Sequence, residues 1–253
     1  MVGTQFSLPI KIILTMKKQL SILIPVGAFL LMIISFSACK KTVNGNTHLP
    51  AAGLMAFNLA PDSTSVGFSV GGNKLTTTPL TFTEYTGTYL GVSPGTQDIS
   101  AFDYSSGAPL ASASQLFADS THYSAFFVGT AGNYKNIIVK DNFDSLTSAS
   151  GQAYVRYINA IPDSALLPTV TIASNGTNIF ATTSTFAAVS DFKGITPGDI
   201  TINVNAETSV SANRTITVEQ GKIYTILLVG SPTATDSTKA VQIKFIQNGQ
   251  ITP

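Results

Sequence analysis

The chain has 253 residues, 44% of them hydrophobic and only 11% charged, with a formal net charge of +1. Charged residues make up roughly 25% of an ordinary globular protein; here Thr, Ser, Asn and Gly take their place, which suits a β-rich protein working outside the cytoplasm. The absence of a basic cluster excludes a nucleic-acid ligand, which needs a cationic face against phosphate, and the single cysteine excludes an intrachain disulfide framework.

From Met16 the sequence reads MKKQLSILIPVGAFLLMIISFSAC. Two lysines, an apolar run and small residues before Cys39 have the layout of a secretory signal, with Met16 as the expected initiator. The Phe-Ser-Ala before Cys39 resembles the lipobox of bacterial lipoproteins, although Phe36 stands where that family usually has Leu. The resemblance implies cleavage before Cys39 and diacylation of its thiol, so that the lipid anchors the protein in the membrane. The alternative is an uncleaved transmembrane helix, because the run from Leu20 to Ala38 is long enough to span a bilayer. Cleavage removes Lys11, Lys17 and Lys18 and leaves 11 basic and 13 acidic residues, a net charge of −2. Lys40 and Lys41 then lie next to anionic headgroups. No aspartate follows Cys39, which resembles lipoproteins sent to the outer membrane, facing either the periplasm or the cell surface. The expected organisation is a signal peptide at 1–38, a tether at 39–50, and two domains at 51–148 and 149–253.

Those two domains are copies. NLAPDS begins at Asn58 and NAIPDS at Asn159, 101 residues later; YSAFFVG begins at Tyr123 and YTILLVG at Tyr224, again 101 later. Between them, YLGVSPG ends at Gly95 and FKGITPG at Gly198. Each copy reads as short strands. Gly53–Ala60 and Gln152–Ala160 alternate and stop at Pro-Asp, where proline cannot donate to a ladder. VGFSVGGNKL and VTIASNGTNIF carry Gly-Gly and Asn-Gly at their centres, a hairpin signal. DISAFDY and DITINVNA follow the Pro-Gly turns. YSAFFVG and YTILLVG are apolar on both faces, as a strand covered on each side must be. NIIVKDNF and VQIKFIQN close the copies. The expected fold is all-β: two tandem immunoglobulin-like antiparallel β-sandwich domains, placed end to end because LTSASGQ (146–152) is too short for a flexible linker.

These landmarks resemble domain of unknown function 4397, which occurs in secreted and lipid-anchored bacterial proteins, often in tandem. The second copy carries Ile161-Pro162-Asp163, Pro197-Gly198 and Tyr224-Thr225 to Gly230; the first carries Ala60-Pro61-Asp62, Pro94-Gly95 and Tyr123 to Gly129, with Ser124 in place of the usual Thr. The resemblance implies architecture and location but no active site.

Chemistry is sparse. Gly91 to Gly95 spells Gly-x-Ser-x-Gly, yet the residue after Ser93 is Pro94, which has no N–H for an oxyanion hole, and the sequence continues as strand where a nucleophile elbow requires a helix. The second copy has Thr196 at that place, so Ser93 reads as part of a type II turn with Gly95 at positive φ. His48 falls in the tether and His122 at the start of a strand. Two isolated histidines and one lipidated cysteine make no ordinary zinc site. Asp62 and Asp163 recur without close acidic neighbours, which favours an Asx turn over calcium. No catalytic residue, metal or cofactor is expected.

The copies differ in aromatic content: 13 Phe and Tyr from Phe57 to Phe143, against seven from Tyr154 to Phe245. In DISAFDY, Ile99 and Ala101 share the phase of Ile200 and Ile202, which turns Phe102 and Tyr104 outward, where the second copy has Asn203 and Asn205. Outward aromatics stack on sugars or fill a partner's pocket. The expected function is therefore non-enzymatic: a lipid-anchored envelope protein that binds a glycan or a protein partner through Phe102 and Tyr104. An envelope-polymer hydrolase and a passive spacer remain as alternatives.

Overall fold

The computed structural model describes residues 49–147, 151–162, 167–206 and 210–251. The first copy comprises β1 (Ala52–Asn58), β2 (Val66–Val70), β3 (Asn73–Lys74), β4 (Leu90–Val92), β5 (Gly95–Asp103), β6 (Pro109–Phe117), β7 (His122–Thr130) and β8 (Asn133–Lys140). The second repeats the series as β9 (Ala153–Asn159), β10 (Thr169–Ser174), β11 (Thr177–Thr183), β12 (Lys193–Ile195), β13 (Gly198–Ala206), β14 (Val210–Val218), β15 (Lys222–Val229) and β16 (Gln242–Gln250). Each copy folds as two four-stranded sheets. Their orders are β4-β1-β7-β8 with β3-β2-β5-β6, and β12-β9-β15-β16 with β11-β10-β13-β14.

The pairing is antiparallel except for β1 with β7 and β9 with β15, which run parallel. Even the register is repeated: Leu54 sits opposite Tyr123 and Val155 opposite Tyr224. The expected hairpins form where the glycines stand. Gly71 and Gly72 have φ of 56° and 80°, Asn175 and Gly176 of 51° and 76°, the left-handed pair that a two-residue turn needs between twisted strands.

GVSPG leads from β4 in one sheet to β5 in the other, and GITPG leads likewise from β12 to β13. Gly95 (φ 104°) and Gly198 (φ 119°) begin the new strands. Ser93 therefore sits at a corner of the sandwich.

Three apolar layers hold these sheets together. Leu54, Ala56, Phe68, Ile99 and Phe127 belong to the core inside the first sandwich, and Val155, Tyr157, Ile172, Ile202 and Leu228 to that inside the second. A third core joins the copies, with Met55, Phe57 and Phe126 from the first and Ile158, Leu227 and Val229 from the second. Because side chains alternate along a strand, β1 and β7 send one set of residues to each core. That explains why YSAFFVG and YTILLVG are apolar throughout.

The third core overturns the end-to-end expectation. A shared core needs contact along the faces of β1/β7 and β9/β15, so the order of layers is outer sheet, inner sheet, inner sheet, outer sheet.

A second correction concerns the Pro-Asp turns. The Asx turn belongs to Asn58, whose Oδ1 accepts from Ala60 N at 3.1 Å while its Nδ2 donates to the Ser63 and Leu80 carbonyls. Asn159 repeats the arrangement with Ile161 N and the Ser184 carbonyl. The Asp62 carboxylate instead accepts from Ala131 N at 2.6 Å and Thr130 Oγ1 at 3.0 Å, fastening its turn to the β7–β8 hairpin. Asp163 lies outside the described residues.

Candidate functional site

Phe102 and Tyr104 lie on the outer face of the first sandwich. Ile99 and Ala101 are fully buried in the core, so strand alternation turns Phe102 to the opposite face, where it is half-buried. Just beyond β5, Tyr104 stays on that face, because its N–H donates to the Ser65 carbonyl and its hydroxyl donates to the Thr77 carbonyl at 2.6 Å. The two rings are 6.2 Å apart between centroids with planes 17° from parallel.

Gly67, opposite Phe102 on β2, leaves the space that the rings occupy. A Cβ at this position would run into the Phe102 ring and come within 2.9 Å of Tyr104 Cδ2. The Lys74 ammonium lies over the Tyr104 ring, 5.5 Å from its centre, within reach of a cation–π contact. The second copy has Thr171, Asn203 and Asn205 at the places of Gly67, Phe102 and Tyr104, and there Asn213 Nδ2 donates to Asn203 Oδ1. The aromatic pair was legible in the sequence; the glycine beneath it and the lysine beside it were not singled out.

A polar cluster sits between the copies. Arg156, only 2% exposed, donates from Nη1 to Asp141 Oδ1 at 2.6 Å, from Nη2 to Ser124 Oγ at 2.9 Å and from Nε to Thr225 Oγ1 at 2.9 Å. Asp141 Oδ2 accepts from Ser124 Oγ at 2.8 Å and from the Tyr89 hydroxyl at 2.5 Å. Asn248 accepts from Thr225 and donates to the Tyr89 oxygen, closing the network across the interface. Burial, then the Asp141 charge and its hydrogen bond, push the Tyr89 hydroxyl far above the usual tyrosine range. The guanidinium also lies 4.3 Å from the centre of the Phe192 ring.

Two clefts of about 280 Å³ each open beside this cluster. One is lined by Lys140, Asn142, Arg156, Asp191 and Phe192, the other by Tyr89, His122, Phe143 and Asn248. Neither includes a residue of the aromatic pair.

Ser93 and His122 take part in neither the aromatic pair nor the side-chain hydrogen bonds of the polar cluster. The shallow cleft at Ser93 is lined by Val70, Asn73, Lys74, Leu75, Gly91, Val92 and Gln97, with no histidine or carboxylate. His122 packs its ring against Tyr89 and Phe143, at 4.7 and 5.5 Å between centroids. Among the described residues no three His, Cys, Asp or Glu side chains come together as a metal site. Cys39 and His48 lie outside the described residues.

Two tandem β-sandwiches of one repeated topology define the class of protein. The description "Domain of unknown function (DUF4397)" matches residues 52–167 and 153–250, and the chain belongs to that family, in tandem. No curated protein matches the sequence. Among solved structures, CBMbc (family CBM26) from Eubacterium rectale Amy13K, crystallised with maltoheptaose, is similar at 10% identity over 80% of this chain and 98% of that one, with a TM-score of 0.25. At that score the likeness carries no inference about this chain.

Proposed function

We propose that this is a non-enzymatic, lipid-anchored cell-envelope protein whose first copy binds a glycan through Phe102 and Tyr104. The observation behind the reading is the pair of near-parallel rings laid over Gly67. Pyranose sugars present an apolar C–H face that stacks on such rings, and aromatic side chains deliver large contact area on one rigid surface. The anchor is Cys39, exposed as the new N-terminus by cleavage of residues 1–38, and residues 39–50 tether the domains (51–148 and 149–253) to the outer membrane.

Two measurements test the proposal. Metabolic labelling with an alkyne fatty acid should mark the protein and fail on Cys39→Ala; equal labelling of both removes the anchor. Screening the detergent-solubilised full chain on a glycan array should give binding that Phe102→Ala with Tyr104→Ala abolishes. The passive spacer draws support from the third core, which packs the two copies against each other, and an array with no bound glycan favours it.

A further inference from the structure

Resting on glycan binding at this platform, we infer that the ligand is an uncharged glycan chain, bound along β5 of the first copy alone with one site per protein. The outer face changes character along that strand. Tyr104 and Phe102 supply an apolar floor; next in the same phase comes Ser100, then exposed Asp98. Ser69 on β2 and Ser112 on β6 stand in register on either side of Ser100, whose Oγ is 3.3 Å from that of Ser112. An apolar patch that runs into a row of hydroxyls matches a chain of sugars, each with a C–H face and a hydroxyl rim, better than it matches a peptide's apolar anchors.

Charge selects the class. Lys74 is the cation at the platform, and its ammonium already lies over the Tyr104 ring. Asp98 on the same face and Asp103 beside Tyr104 oppose it. The N–H and hydroxyl of Ser106 hold the Asp103 carboxyl below the usual range, so it stays ionised. One positive and two negative charges leave the face negative, which repels a uronate- or phosphate-bearing chain and leaves a neutral one unaffected. The single site follows from the second copy, where Thr171, Asn203 and Asn205 replace the glycine and both rings.

The test is affinity electrophoresis of the solubilised full chain through gels containing neutral polymers (dextran, mannan, β-glucan) or anionic ones (polygalacturonate, alginate), at low and high salt. At least one neutral polymer should retard the protein regardless of salt. Phe102→Ala with Tyr104→Ala should weaken this by about tenfold or more, since both stacking faces are lost. Gly67→Val should do the same with both rings intact, and a cooperative unfolding transition well above the assay temperature shows that each variant is folded. Retardation only by anionic polymers, fading with salt, overturns the neutral class while glycan binding stands. Retardation by no polymer overturns both. Binding that survives the ring substitutions places the glycan elsewhere and overturns the site. Calorimetry with a neutral oligosaccharide should give one site per chain; two sites overturn the confinement to the first copy.

Discussion

Arg156 of the second copy donates to Asp141 of the first at 2.6 Å, with both side chains almost wholly removed from water. The repeat shows what each replaced. Arg156 stands where the first copy has Met55, and Asp141 where the second has Asn248, since both follow the residue paired with the tyrosine of β7 or β15. Breaking a buried pair strands a charge and costs about 3–5 kcal/mol, whereas replacing both partners is often neutral. Asp141→Asn alone and Arg156→Met alone should therefore each lower stability by about that amount, while the double variant, which uses only side chains already present in the other copy, recovers most of it. Urea unfolding of the three proteins measures the coupling.

Tyr89 extends the network to alkaline pH. Its folded pKa lies above the unfolded value of about 10, so the folded state holds the proton more tightly. That contribution is complete below pH 10 and declines as pH rises beyond it, by up to about 1.4 kcal/mol per unit. Tyr89→Phe, which reproduces the second copy's Phe192, should flatten the fall in unfolding midpoint between pH 9 and 11. Part of the fall will remain, because burial followed by the Asp62 charge raises Tyr134 as well.

Strain recurs at one place in both copies. Thr83 (φ 73°) and Ala187 (φ 68°) adopt left-handed backbone, and their N–H groups donate to the Asn58 and Asn159 carbonyls at 2.8 and 2.7 Å. For a β-branched residue this conformation is an outlier. Thr83→Gly should raise stability by about 0.5–1 kcal/mol, as relief of strain exceeds the added freedom of the unfolded chain. Thermal unfolding decides it.

At Gly129 the opposite holds. Its φ of 122° and the approach of the Asn133 carbonyl leave no room for a Cβ, and Gly230 repeats the conflict with the Ala240 carbonyl. Gly129→Ala should lower the unfolding midpoint clearly, by several degrees at least for a loss of about 1–3 kcal/mol.

Much of this architecture could be read in advance from local signals. Gly71-Gly72 and Asn175-Gly176 marked hairpins because turn geometry depends on the turn residues themselves. The 101-residue offset exposed the duplication, and the outward phase of Phe102 followed from Ile99 and Ala101. What covers the second face of YSAFFVG was not legible, because period-2 patterning shows that a face is buried and not what buries it. Arg156 against Met55 was the available signal for a special contact, a cation inserted into an apolar strand. Asp62 misled for a related reason: its partners lie 68 and 69 residues away, and a local rule sees only neighbours. Gly67 escaped because a glycine in a strand does not name the ring that covers it.

The third core has a consequence for how the duplication works. Phe57 and Phe126 meet Ile158 and Leu227, and each of the latter stands 101 residues beyond one of the former. Equivalent patches thus face each other, as in an isologous dimer. Joining the two halves in one chain replaces a bimolecular encounter by an intramolecular one at a fixed effective concentration. However dilute the protein is, each half always has its partner, and the unfolding midpoint should not move with protein concentration.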